Sequence, residues 1–466
     1  MSQPLDAIAT AEAIASGEVS AREVVEQAIA GFEARKDLNL LVADRFEQAL
    51  ADVDAGLPAG PLTGVPTVFK DLGMNVAGMP TTRGSRLWEG DVQSEDSTLV
   101  ARYKAAGMVV LGMSNSPELG KNASTEPLAH GPSRNPWKPT HSTGGSSGGA
   151  AGAVAAGIVP VAHGNDGGGS IRIPSSMCGL FGLKPSRGRV SAAPVPSVMG
   201  YPLGINHALT RSVRDSALLL DIGGQPLDGD LIGAPGPEAT FLEQMRREPG
   251  TLRIGLVTDR ADGGVVDAEC AAAAKEAAEF LAGLGHEIVP VSWTYDPEQH
   301  MGAFGVVMGV SLLSQVDGRL AQLGRELKDD DLEPFTRMMY DHYRGTIGAV
   351  DYADALNGLQ VTSWQVAQMF AGLDFVLTPT IARRVPELGV LDTTNPAAMW
   401  ERAGDYSAMT GIFNTTGQPG VSLPWSHDAD GLPIGVQVIG RLGDEGKLLS
   451  LSAQVEQERP WALVAP

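Results

Sequence analysis

Cysteine is almost missing from this chain of 466 residues, which contains only Cys178 and Cys270. Two cysteines cannot form a disulfide framework, and neither lies in a C-x-x-C or Cys/His pattern typical of structural zinc. Basic residues are also scarce, because 34 Lys and Arg stand against 55 Asp and Glu and give a formal net charge of −21. Such a charge repels nucleic acid and anionic membranes, so we expect neither as a partner.

Long apolar runs are missing too, and none reaches the roughly 18 residues that a membrane-spanning helix needs. The start of the chain contains Asp6, Glu12 and Glu18 and lacks the basic segment followed by an apolar segment of a signal peptide. With 43% hydrophobic and 19% charged residues, the composition argues against disorder. We therefore expect a folded protein of the cytoplasm, where thiols stay reduced.

Hydrophobic periodicity predicts helices and short apolar strands in alternation. Ser20 and Glu23 form a capping box before an apolar stripe at Val25, Ile29 and Phe32, which predicts a helical N-terminal arm over residues 1–60. The order predicts the α/β class, with a sheet covered on both faces. The predicted strands are 65–69, 109–111, 159–162, 252–257, 287–291, 375–377, 421–423 and 434–439. The predicted helices are 96–106, 149–157, 212–221, 267–283, much of 301–372, and 445–457.

We find no fixed-period repeat and no linker-like stretch, so the sequence predicts one large domain over residues 1–466. Residues 191–250, which are rich in Pro and Gly, are predicted to lie over one end of the sheet. Together with the helical, Met-rich residues 296–372, they are predicted to be insertions that shape a substrate pocket, because methionine lines adaptable pockets. The candidate pocket residues are Met199, Tyr201, Met301, Phe304 and Met308.

Two tight clusters of glycine and serine between residues 131 and 190 are the densest chemical signal. A phosphate-binding loop would need G-x-x-x-x-G-K-[ST] or G-x-G-x-x-G, and neither pattern occurs. Residues 144–148 match the nucleophile-elbow string G-x-S-x-G. That motif needs a strand directly before it, and the preceding polar stretch with two prolines disfavours a central strand.

The second cluster, residues 167–170, favours a third hypothesis. Consecutive glycines leave successive N–H groups free to converge on an oxyanion, and Ser170 ends the run as a candidate nucleophile. A serine needs a base, and a lysine can serve if burial keeps it neutral. Lys70 is the candidate because it ends the apolar run 65–69; the alternative is that it merely caps a strand edge.

The segments GVPTVFKD, STGGSSGGAAGAVAAG, GNDGGGSIRIPSSMCGLFGLKPSRGR and FNTTGQPGVSLP resemble the amidase signature family. The resemblance covers nearly the whole chain, and two serines 24 residues apart, Ser146 and Ser170, are its most specific feature. It implies a single α/β/α domain around a large mixed sheet.

The resemblance also implies a Lys–Ser–Ser triad without metal or cofactor. Lys70 matches the family base, Ser146 the bridging serine with a cis peptide bond, and Ser170 the nucleophile that forms the acyl-enzyme. The matching oxyanion hole consists of the N–H groups of Gly167, Gly168, Gly169 and Ser170. The residues expected to support this loop are Asp166, Arg172 and Ser147.

The implied substrate is a small or oligomeric amide or anilide, linear or cyclic. Asn165–Asp166–Gly167 replaces the Thr-Asp-Thr of many members, and with the lead-in His163–Gly164 it looks closest to the nylon-oligomer branch of the family, the 6-aminohexanoate cyclic-dimer hydrolases. Urethanase-type members are a second resemblance, so carbamate or ester hydrolysis is an alternative. A further alternative is a subunit of the glutamine amidotransferase type. The expected partners are a small-molecule amide or carbamate and a second copy of the chain in a homodimer.

Overall fold

Eight strands form the main sheet of the protein in a computed structural model that describes residues 5–195 and 202–466. The described residues contain thirteen strands, of which eight form the main sheet: β1 (Leu41–Asp44), β2 (Pro66–Lys70), β3 (Val109–Ser114), β4 (Arg134–Asn135), β5 (Lys138–Ser142), β6 (Val161–Asp166), β7 (Phe181–Lys184), β8 (Ile205–Thr210), β9 (Arg253–Leu256), β10 (Glu287–Pro290), β11 (Phe375–Pro379), β12 (Gly420–His427) and β13 (Pro433–Ile439).

Helices cover both faces of this sheet, as the α/β order predicts. They are α1 (Ala7–Ser16), α2 (Ala21–Ala34), α3 (Phe46–Ala55), α4 (Thr98–Ala105), α5 (Gly148–Ala155), α6 (Arg172–Cys178), α7 (Val213–Gly223), α8 (Phe241–Met245), α9 (Ala268–Gly283), α10 (Pro297–Leu323), α11 (Pro334–Tyr343), α12 (Ala349–Met369), α13 (Pro396–Ser407), α14 (Ile412–Thr415) and α15 (Glu445–Glu458).

The main sheet is mixed, with the order β10-β9-β11-β13-β12-β7-β8-β6. Strands β10, β9 and β11 are parallel to one another, and every other neighbouring pair is antiparallel. A turn at Asp430–Gly431 joins β12 to β13, and Gly431 in this turn has a φ of 80°.

A second sheet has the order β1-β3-β2 and adjoins the edge strand β6 of the main sheet. At this seam the Thr67 hydroxyl donates to the carbonyl oxygen of Val161 at 3.0 Å. The backbone N–H of Lys70 donates to Nδ1 of His163 at 3.3 Å. The last residue of β2 therefore lies directly beside β6, the strand that leads to Ser170.

The N-terminal arm follows the prediction in its helices and departs from it in one strand. Ser20 and Glu23 form the predicted capping box of α2, whose residues Val25 and Phe32 are buried. Strand β1 lies within the predicted helical arm, where it pairs antiparallel with β3. Its four residues were included in the predicted helical arm, and its partner lies about seventy residues away in the chain.

The two predicted insertions differ in outcome. The prediction that residues 191–250 lie over one end of the sheet is wrong for β8, which pairs with β6 on one side and β7 on the other. Helix α7 then packs on this strand and on α8. Residues 297–369 do lie outside the sheet as the packed helices α10, α11 and α12.

Helix α10 is apolar along much of its length. Within the described residues it is the one helix long and apolar enough to cross a membrane by length and composition, with a mean hydropathy of 1.3 over an 18-residue window. Its apolar residues contact two separate hydrophobic clusters: Val307 packs with Leu203 and Leu359, whereas Leu312 packs with Trp88. Packing against several elements accounts for the composition of this helix.

Candidate active site

Lys70 lies at the end of β2 with a fully buried side chain. Its Nζ is 2.7 Å from Oγ of Ser146 and 2.6 Å from Oδ1 of Asn165. Burial lowers the pKa of Lys70 from 10.5 to about 7, although the carboxylate of Asp166 acts in the opposite direction. A substantial fraction of this amine is therefore neutral at neutral pH, and the alternative of a strand-edge cap does not fit its burial.

Asn165 fixes the direction of the lysine amine. Its Nδ2 donates to the carbonyl oxygen of Leu72 at 2.8 Å, which leaves Oδ1 facing Lys70. An amide oxygen can only accept, so it takes an N–H of the neutral amine and leaves the nitrogen lone pair for Ser146. In the sequence Asn165 stands out only as a departure from the family pattern, and its contact with Lys70 is visible in the structure alone.

His163 contacts the backbone of Lys70 and is too weakly basic to take up a proton at neutral pH. Its ring stacks on Phe69 at 5.2 Å between centroids, and its Nδ1 accepts the backbone N–H of Lys70. Burial, reinforced by the charge of Lys70, lowers the pKa of His163 to about 3, so the imidazole is neutral. This residue supports the end of β2 and carries no charge to the site.

Ser146 is buried and follows a cis peptide bond, Gly145–Ser146. The segment packs against residues 120–122: a Cβ added at Gly120 would lie 3.1 Å from Oγ of Ser146, and one at Gly145 would lie 2.5 Å from the carbonyl oxygen of Asn122. The adjacent Ser147 is buried, and its hydroxyl donates to the carbonyl oxygen of Asn165 at 3.4 Å. Both serines of the pair therefore contact residues of the lysine site.

Ser170 is partly exposed in the loop between β6 and α6. The loop depends on Gly169, whose φ is +133° and whose added Cβ would lie 2.7 Å from Cδ1 of Ile173 and still closer to the hydroxyl of Thr410. That hydroxyl also donates to the carbonyl oxygen of Gly168 at 2.6 Å. The contact between the Ser146 and Ser170 hydroxyls is not among the hydrogen bonds of the described residues.

The predicted oxyanion hole needs one correction. The N–H of Gly169 donates to Oδ1 of Asp166 at 2.8 Å, so it is already used inside the loop. The prediction that Gly169 donates to an oxyanion does not fit this arrangement. The other three predicted donors are the N–H groups of Gly167, Gly168 and Ser170.

Asp166 and Arg172 form a buried ion pair under the loop. Arg172 donates from Nε and Nη2 to the carboxylate at 2.9 Å each, and both side chains are completely buried. Its remaining donors reach Thr410, Gln437 and Asn414 at 2.7 to 3.1 Å. Burial alone raises the pKa of Asp166, but Arg172 outweighs it and holds the pKa well below its usual range. Through Asp166, which also accepts the backbone N–H of Gly169, the pair is bonded to the loop.

The predicted pocket residues have different environments. The Phe304 ring lies beside the nucleophile loop, 3.7 Å from where a Cβ of Gly168 would be, and Met308 follows one turn later on α10. Met301 is 55% exposed, so its side chain is mostly in solvent. Met199 and Tyr201 lie outside the described residues.

The thiol of Cys178 is buried and donates to the carbonyl oxygen of Thr143 at 3.4 Å, and burial raises its pKa far above the usual range. In residues 5–195 and 202–466, no group of three or more His, Cys, Asp or Glu side chains is arranged to hold a metal ion.

Comparison with known proteins shows the family of this chain. A family model described as Amidase matches residues 22–449. The chain belongs to the amidase family. The amidase is thus an enzyme that hydrolyses carbon–nitrogen bonds, and the predicted family and α/β fold are confirmed.

The amidase is similar over its whole length to several relatives. It is 36% identical to the 6-aminohexanoate-cyclic-dimer hydrolase of Paenarthrobacter ureafaciens, over 99% of this chain and 96% of that protein. It is 37% identical to the putative amidase AmiB2 of Mycobacterium tuberculosis, over 98% and 96% of the two chains. Both similarities extend through the N-terminal arm.

Solved structures of similar proteins superpose on the amidase over nearly its whole length. A 6-aminohexanoate cyclic dimer hydrolase structure superposes on the amidase with a TM-score of 0.93 at 35% identity, covering 99% of this chain and 98% of that one. A bacterial aryl acylamidase of the amidase signature family superposes with a TM-score of 0.88 at 28% identity, covering 98% and 97%.

Proposed function

We propose that this amidase works through an acyl-enzyme on Ser170, with Lys70 as base and Ser146 as bridge. The observation that carries the proposal is the 2.7 Å hydrogen bond between the buried Lys70 amine and the Ser146 hydroxyl. The lone pair of neutral Lys70 accepts the Ser146 proton, and Ser146 in turn accepts the proton of Ser170. Ser170 Oγ then attacks the substrate carbonyl carbon.

Charge develops on the carbonyl oxygen during this attack. The N–H groups of Gly167, Gly168 and Ser170 stabilise it, each by about 3 to 4 kcal/mol as judged from single-donor losses in other hydrolases. The protonated Lys70 then returns its proton through Ser146 to the departing nitrogen, and the carbon–nitrogen bond breaks. Water attacks the ester carbon of the acyl-enzyme by the reverse proton route and releases the acid.

The proposed substrates are small or oligomeric amides and anilides, linear or cyclic. Support comes from the relatives, one of which is named for hydrolysis of a cyclic dimer of 6-aminohexanoate and another for arylacylamide hydrolysis. Carbamates present a similar carbonyl, and the chemistry of the triad does not distinguish the two.

A fluorophosphonate probe tests the triad directly. We expect covalent labelling at Ser170, located by peptide mass spectrometry, and no labelling of Ser170→Ala. The same variant should lose at least about 10³-fold in turnover of an anilide. Labelling at another residue, or turnover by Ser170→Ala, would contradict the proposal.

Product analysis separates amide from carbamate cleavage. An anilide releases an arylamine and a carboxylic acid. An N-aryl carbamate of an alcohol releases the arylamine, carbon dioxide and the alcohol. We expect kcat/KM to be higher for the anilide than for the matched carbamate, and the reverse order would identify a carbamate hydrolase.

We also propose that the enzyme acts in the cytoplasm as a homodimer. Both cysteines are buried free thiols, which supports a reducing compartment. Cell fractionation tests the location, and light scattering on the purified chain tests the oligomeric state.

A further inference from the structure

Lys121 places a second amine close to the triad. It directly follows Gly120, whose missing side chain makes room for Oγ of Ser146, and it precedes Asn122, whose carbonyl oxygen packs on Gly145. Both neighbours of Lys121 in the chain thus contact the Gly145–Ser146 segment. The backbone that carries this lysine is therefore part of the wall around the bridging serine.

The Lys121 side chain extends to helix α10. Its Nζ lies 3.4 Å from the carbonyl oxygen of Met308 and 3.9 Å from the Met308 sulfur. Phe304 is four residues earlier on the same face of the helix and lies against Gly168 of the nucleophile loop. One face of α10 therefore approaches both the Lys121 ammonium and the loop that carries Ser170.

The charge of Lys121 has no counter-ion in the described parts of the chain. A carbonyl oxygen at 3.4 Å and a sulfur are weak acceptors, and no carboxylate of residues 5–195 or 202–466 forms an ion pair with it. Burial lowers the pKa of Lys121 to about 8, which still leaves most of the amine protonated at neutral pH. The contrast is Arg172, whose buried charge is neutralised by Asp166.

A desolvated cation without a counter-ion costs free energy, and binding of an anionic ligand offsets that cost. Part of the Lys121 residue is exposed to solvent, although its amine is buried. We propose that Lys121 is a specificity-determining residue that binds a carboxylate carried by the amide substrate. The inference rests on the proposed function and narrows its substrate class to amides with a carboxylate a few atoms from the scissile bond. A linear oligomer of an ω-amino acid has such a group, whereas its cyclic counterpart does not.

Two matched pairs of synthetic substrates test this inference in the full-length enzyme. The first pair carries the charge on the acyl part: the mono-4-nitroanilide of adipic acid and its neutral adipamide analogue. The second carries it on the amine: hexanoyl-4-aminobenzoate and hexanoyl-4-aminobenzamide. The variants are Lys121→Met, which keeps length without charge, Lys121→Arg, and the control Lys138→Met at an exposed lysine paired with Asp430.

We expect Lys121→Met to lower kcat/KM for the anionic member of one pair by about 10- to 100-fold, the value of one charge-assisted hydrogen bond. The neutral member of that pair should change by less than about threefold. Lys121→Arg should recover part of the lost preference, and Lys138→Met should have no effect. The pair that responds identifies the acyl or the amine part as the one that carries the carboxylate.

Two results would overturn the inference: equal losses on the charged and neutral members, or no loss on either anionic substrate. Thermal melting of Lys121→Met distinguishes an unfolded variant from a specificity change. If Lys121→Met has lost its fold, Lys121→Gln takes its place in the same comparison. Failure of the triad itself is recognised separately, because Ser170→Ala would then retain turnover of the neutral substrates.

Discussion

A lysine amine serves as a base near neutral pH only where its surroundings disfavour the ammonium form. At Lys70 this is the effect of burial, which outweighs the attraction of Asp166 and brings the pKa to about 7. Two neighbours set the direction of the amine: Asn165 Oδ1 accepts an N–H, and the Ser146 hydroxyl lies 2.7 Å from Nζ, where in the proposed mechanism it donates its proton to the lone pair of the neutral amine. Base strength and direction at this residue therefore have separate structural causes.

The first prediction concerns the pH dependence of acylation. The active form of Lys70 is the neutral amine, whose fraction increases with pH, so kcat/KM for a neutral anilide should rise through about pH 7 and level off above it. Lys70→Arg stays protonated and should lose about 10²- to 10⁴-fold. A pH-rate profile measures both, and a profile that falls across neutral pH would contradict the assignment of Lys70.

The second prediction tests whether Asn165 affects the protonation of Lys70 or only supports the local structure. Asn165→Asp places a carboxylate 2.6 Å from the amine and stabilises the ammonium, so the rising limb of the pH profile should move up by at least about one pH unit. Asn165→Ala removes the acceptor without adding charge, and its limb should not move up. Identical profiles for the two variants would show that Asn165 does not act on the lysine.

At the scale of elements, the turn from β6 into α6 positions Ser170, the proposed nucleophile, and the shape of this turn depends on one glycine. Gly169 combines a φ of +133° with close neighbours on α6 and at Thr410. Gly168, one residue earlier, has only the Phe304 ring at an ordinary contact distance. The two adjacent glycines are thus a matched pair for mutation.

The third prediction uses this pair. Gly169→Ala should lower the free energy of unfolding by about 2 to 5 kcal/mol, because both the backbone conformation and the space resist a Cβ. Gly168→Ala should change it by less than about 1 kcal/mol. Urea denaturation measures both values, and equal destabilisation of the two variants would argue against this account of the turn.

Strand β2, which ends at Lys70, was predictable as a short apolar run, whereas only Val161 and Ala162 of β6 lie within the predicted strand 159–162. Lys70 and the loop 167–170 could be named from the same pattern, and Ser146 required the family resemblance. Strands β1 and β8 escaped prediction because their partners are distant in the chain and the sheet order is not encoded locally. The Asn165 and Lys121 contacts escaped for the same reason: each depends on a meeting of segments at least 90 residues apart.

At the scale of the whole molecule, the N-terminal arm is part of the catalytic scaffold. Strand β1 pairs with β3, and β3 pairs with β2, the strand that ends at Lys70. Val25 and Phe32 of α2 belong to the same hydrophobic cluster as Val68 of β2 and Ala150 of α5. Loss of the arm would expose both the edge of β3 and this cluster.

The fourth prediction follows from that placement. A chain that lacks residues 1–55 should lose cooperative thermal unfolding and fluorophosphonate labelling together, since burial of Lys70 depends on the exposed cluster. Circular dichroism and labelling measure the two properties. Full labelling of a cooperatively folded truncated chain would show that the arm is dispensable, and the single variant Phe32→Ala provides a milder comparison.

The contact of β2 with β6, which joins the two sheets, affects how the enzyme loses activity. The proposed base, Lys70, belongs to one sheet, and the loop with the proposed nucleophile, Ser170, follows a strand of the other. We therefore expect a slight separation of β2 from β6 to admit water to the amine before either sheet unfolds. A hydrated amine takes up a proton and stops working as a base. Mild heating or a low concentration of denaturant should therefore abolish activity while the circular dichroism spectrum is still that of the folded enzyme.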